Sequence, residues 1–138
     1  MSTKYGFSVE SPLPADEAEA EVKKLLKEEG FGVLTEIDVE RTLREKLGVE
    51  FRPYRILGAC NPPLAHRALE AEPGIGLLLP CNVVVEALAA GGSRISFLEP
   101  VAALGLVGNP DLEPIAEDAA KRLHRVAVRM SAAPVGSG

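Results

Sequence analysis

Tryptophan is absent from this chain of 138 residues, and aromatic residues make up 4% of it. That argues against stacking platforms for single-stranded nucleic acid and leaves the core to Leu, Val, Ile and Ala. There are two cysteines, too few for a disulfide scaffold. No basic surplus exists: 15 Lys and Arg stand against 20 Asp and Glu, for a net charge of −5, so nucleic acid is not an expected partner. Lys121, Arg122, Arg125 and Arg129 form the one basic group, and they read as the last turns of a helix, where cations suit the dipole. The longest apolar stretch, Ile75 to Ala90, is broken by Pro80, Asn82 and Glu86 and is too short to cross a bilayer. Met1 to Tyr5 carries no apolar signal core, so the expected setting is the cytoplasm, with no membrane partner. A G-x-x-x-x-G-K-[ST] phosphate loop and a G-x-S-x-G elbow are both missing.

What is present suits a globular domain: 46% hydrophobic and 25% charged residues. Tyr5, Phe7 and Val9 alternate with small residues, which predicts a first strand over 4–10. Ala18, Val22, Leu25 and Leu26 fall on one stripe of a helix over 15–29, stopped by Gly30. A second strand is predicted over 31–39, with Phe31, Val33 and Ile37 on one face and Leu34, Glu36 and Asp38 on the other. A short helix over 40–47 ends at Gly48. A third strand covers 54–60, and Asn61 followed by Pro62 reads as the cap and first position of a helix to Ala71. Leu77 to Pro80 leads into a fourth strand over 81–88, and Ala90-Gly91-Gly92 turns it into a fifth over 93–98. Val101 to Val107 is apolar and Gly-interrupted, and reads as a short strand. A last helix over 112–128 buries Ile115, Ala119, Leu123 and Val126, capped by Asn109 or Asp111.

These elements predict one α+β domain over residues 1–130: a two-layer sandwich with a mixed but mostly antiparallel sheet and helices packed on it. Residues 131–138 read as a disordered tail.

Three blocks in order carry a family likeness: Gly30 to Val39, Phe51 to Pro62, and Ile75 to Val85. Phe97-Leu98-Glu99-Pro100 adds a later element, with Glu99 where Asp is commoner. From about Tyr5 to Val128 the chain resembles domain-of-unknown-function family 302. The resemblance implies an α+β fold with an antiparallel-leaning sheet and a small homo-oligomer; it implies no established activity.

The sharpest chemical feature is a doublet. Cys60-Asn61-Pro62 sits where a strand hands over to a helix, and Pro80-Cys81-Asn82 where another strand begins. A thiol at a helix N-terminus feels the positive end of the dipole, which lowers its pKa, and Gly58 would leave space beside it. The alternative is that both cysteines are small buried hydrophobes. Tyr54 shares the alternation of Ile56, Gly58 and Cys60. Glu36 and Asp38 stand two residues apart on a strand, spaced either for paired acid and base work or for a solvated face. His66 lies opposite the apolar side of its helix and His124 reads as a surface residue. With Cys60 and Cys81, His66 makes a poor ligand set, so no metal and no cofactor is expected. The expected function is a non-catalytic module, a homodimer, binding an unknown small molecule or partner around Cys60, Asn61, Cys81 and Asn82, with Tyr54, Glu36 and Asp38 nearby. The rival is a thiol-dependent enzyme or redox protein using Cys60. If the helix after Asn61 returns the chain to its starting edge, both thiols are expected at one end of the sheet, around one pocket and unbridged.

Overall fold

A computed structural model describes residues 2–132. Five strands make one sheet: β1 (Gly6–Ser11), β2 (Gly32–Asp38), β3 (Tyr54–Cys60), β4 (Cys81–Ala87) and β5 (Ser93–Leu98). Their spatial order is β1-β5-β4-β3-β2, and every neighbouring pair is antiparallel. The parallel component of the expected mixed sheet therefore does not occur among the described strands. The reason is the connectivity: β1 and β2, consecutive in the chain, are the two opposite edges, and the later strands fill in between them.

The helices are α1 (Ala15–Glu28), α2 (Val39–Leu47), α3 (Pro62–Ala71), α4 (Pro100–Gly105) and α5 (Glu113–Ala132). Helix α1 buries Ala18, Val22, Leu25 and Leu26, and α5 buries Ile115, Ala119, Leu123 and Val126. Both stripes pack with Leu57, Val83, Val85, Ile95 and Phe97 of the sheet in one core cluster. Gly30 ends the α1 region at φ +86°, a conformation that side chains rarely adopt. A Cβ there would also meet the Asn61 amide at 2.9 Å.

Two expectations about the strands need correction. The stretch expected as a short strand over 101–107 begins with α4, because Pro100 suits a first helical turn and Glu99 accepts from the Val101 N–H. The run Pro73–Leu78 is a 3-10 helix, and β4 begins at Cys81, where it was expected. Strand β2 does not alternate simply: Val33 pairs with Ala59 but Thr35 with Gly58, a bulge that makes Leu34 the extra residue. Beyond it Glu36 opposes Leu57 and Ile37 opposes Ile56, so Val33 shares the helix-covered face with Glu36 and Asp38, and Ile37 does not. Ser131 and Ala132 continue α5; the rest of the expected tail lies outside the described residues. No helix among the described residues is long and apolar enough to cross a membrane.

Candidate functional site

The antiparallel order brings several chain junctions to one end of the sheet. Phe31 precedes β2, Cys60 ends β3, Cys81 starts β4 and Pro100 follows β5. Helix α3 leaves from the end of β3, and Asn61 fixes its start. Its Oδ1 accepts from the Leu64 N–H at 3.3 Å, and its Nδ2 donates to the Glu29 carbonyl at 3.3 Å. The same carbonyl accepts from Arg122 Nη1 at 2.9 Å, while the Glu29 carboxylate takes two hydrogen bonds from Arg125, at 3.0 and 2.7 Å. This junction ties the end of α1 to the start of α3 and to α5.

Between α3, α4, α5 and the sheet end lies a cavity of about 300 Å³. Its wall is almost wholly apolar: Phe31, Leu64, Ala68, Leu79, Leu104, Ile115 and Ala119 contribute, with Cys60 and Cys81 among them. Both cysteines are free and partly buried. Ala59 and Cys81 stand opposite each other across β3 and β4, and Cys60 is one residue beyond, at the rim. The expectation that the two thiols line one pocket agrees with this placement.

The expected activation of Cys60 does not. Burial pushes its thiol above the ordinary value. Burial, and then the neighbouring Cys60, push Cys81 up to about 11. Desolvation disfavours a thiolate, and one of the first N–H groups of α3 is already taken by Asn61. Gly58 leaves no space beside the thiol either, since a Cβ there would collide with Thr35 and Pro80.

The remaining expected site residues are elsewhere. Asn82 and Tyr54 line a different depression, of about 390 Å³, shared with Glu86, Arg94 and Ser96. Its charges are internally paired: Glu86 takes Arg52 at 2.9 Å and Arg94 at 3.5 Å. Glu36 bonds Lys23 of α1 at 2.9 Å, an interaction that lowers its pKa. Asp38 caps α2, accepting from the Arg41 N–H at 3.0 Å. Neither of these two carboxylates lines the cavity that holds the thiols.

Leu34, Leu69 and Leu79 were missed as site residues. The signal for Leu34 was a leucine on an expected charged strand face. His66 is exposed and reaches Glu70 of its own helix. His124 is half exposed but not idle: its ring stacks on Phe7 with centroids 3.7 Å apart, and Nε2 lies 3.0 Å from Glu99. Among the described residues no group of three or more His, Cys, Asp or Glu is arranged to hold a metal ion.

The family model described as domain of unknown function DUF302 matches residues 7–130. Among solved structures, the chain is similar to the uncharacterized conserved protein DUF302 from Bacillus stearothermophilus. The identity is 34% and the TM-score 0.85, over 93% of this chain and 99% of that one. None of the curated proteins matches. The chain belongs to the DUF302 family.

Proposed function

We propose that this domain is a non-catalytic binding module that takes a small apolar molecule into the cavity beside Cys60 and Cys81. One observation carries the reading: the cavity wall is almost wholly apolar. Its one polar side-chain amide, that of Asn61, already has partners at both ends. Among the described residues no buried side-chain nitrogen or oxygen lacks a partner. Such a wall selects by shape and hydrophobicity. The thiols, held protonated at neutral pH, act as apolar wall atoms.

The rival thiol-enzyme reading is weaker. A nucleophilic cysteine needs a lowered pKa or an adjacent base. Both thiols are shifted upward, and no histidine or carboxylate is bonded to either one among the described residues. A reducing, cytoplasmic setting suits two unbridged cysteines. The working form in this proposal is a homodimer. Its support is apolar surface in and beside α4: Val101, Leu106 and Leu77 are exposed, whereas Leu104 of the same segment turns into the core. Light scattering at micromolar concentration should give twice 14.6 kDa; the monomer mass throughout would remove the dimer.

The binding test uses the neutral fluorescent probe N-phenyl-1-naphthylamine and the folded full-length protein. Saturable enhancement is expected, together with a rise in Tm that follows probe concentration. No saturable binding, of this probe or of any apolar compound co-purifying in native mass spectrometry, would overturn the proposal.

A further inference from the structure

We infer that the occupant is a straight aliphatic chain of about ten carbons, with its polar end left in water beside Leu34 and Leu69. The inference rests on the binding reading above and adds the ligand class. Three observations carry it.

The first is size. An apolar cavity of about 150 Å³ accommodates one benzene ring. The space here is about 300 Å³, which corresponds to on the order of a dozen carbon atoms.

The second is the chemistry of the wall. Phe31 is its one aromatic ring; the other apolar groups are aliphatic, and alanines recur on α3 and α5 where larger side chains would close the space. Among the described residues no buried polar side chain lacks a partner, so none is available inside to orient a ring bearing several functional groups.

The third is the mouth. Leu34 and Leu69 belong to the cavity wall yet are 68% and 42% exposed. Leu34 is the residue displaced by the β2 bulge, and bulges re-aim side chains. A compact ring seated in the cavity would leave both leucines wet. A chain that fills the cavity and emerges at the mouth covers them.

The test is calorimetric titration of the full chain with straight-chain alcohols and the matching carboxylates, of about six to fourteen carbons, with naphthalene as the compact comparison. Affinity should peak near about ten carbons and be the same for both heads, because the head stays in water. Leu34→Ser should weaken decanol binding about tenfold and leave Tm unchanged, since the side chain is mostly exposed. Ala65→Leu adds about three carbons of wall and should shorten the best chain by about as many. The partly exposed position should let this variant fold. Tight binding of naphthalene without tight chain binding, affinity independent of chain length, or binding by one head alone would overturn the chain inference and leave the binding reading standing. Failure of every apolar compound would end both.

Discussion

The side-chain amide of Asn61 donates to the backbone carbonyl of Glu29 across 32 residues of sequence, at 3.3 Å. The same side chain caps α3 at Leu64. One residue thus sets the angle between α1 and α3 and supports one wall of the cavity. Asn61→Ala removes both bonds from a buried position and should cost about 1–3 kcal/mol in urea unfolding. Asn61→Asp keeps the cap and loses the donor, and should fall between the two. An unchanged midpoint for Asn61→Ala would show that the junction does not support the fold.

The thiols make an alkaline prediction. A thiol whose pKa is raised by folding binds its proton more tightly in the native state. Its contribution is fully present below the ordinary value of 9.0 and is lost as pH rises toward the folded value of about 11. For Cys81 the loss is up to about 3 kcal/mol across that window. Cys81→Ala should therefore flatten the fall in stability above the ordinary thiol pKa. Parallel curves for the two proteins would contradict the burial of Cys81.

At the acid end the sign reverses. Arg125, bonded twice to Glu29, lowers the carboxyl pKa below its ordinary 4.5. That contribution is present above the ordinary value and is lost as pH falls through the lowered one. Arg125→Gln should reduce the acid-dependent loss. Because both side chains reach solvent, salt should weaken the effect in the wild type. An acid limb identical in the variant would remove this pair from the account.

Local chemistry made much of this frame legible. The bounds of β3 and the start of α3 followed from Asn61-Pro62, because a side-chain acceptor before a residue lacking an N–H is a strong helix start. The stripes of α1 and α5 followed from helical spacing. The β2 bulge was hidden, since neither Leu34 nor Thr35 is a glycine or proline; it arises where Thr35 settles against Gly58. The α4 start at Glu99-Pro100 carried a readable cap that the apolar run behind it obscured. Placing the thiols around one pocket was possible because consecutive strands end at the same edge. The cavity itself was not visible, since α3 and α5 supply opposite walls from positions such as Ala68 and Ala119, far apart in sequence. Glu36 and Asp38 misled because a carboxylate that pairs with Lys23 or caps a helix has the same local sequence as one that does chemistry.

The most direct measurement is the rate at which an uncharged maleimide labels Cys81, with and without saturating N-phenyl-1-naphthylamine. Following Cys81 by peptide mass spectrometry in the Cys60→Ala background isolates that thiol. An occupied cavity should slow its labelling about tenfold or more at a pH where global stability is unchanged, because the probe then covers the sulfur. Saturable probe binding that leaves the Cys81 rate untouched would place the ligand elsewhere on the protein and contradict the account.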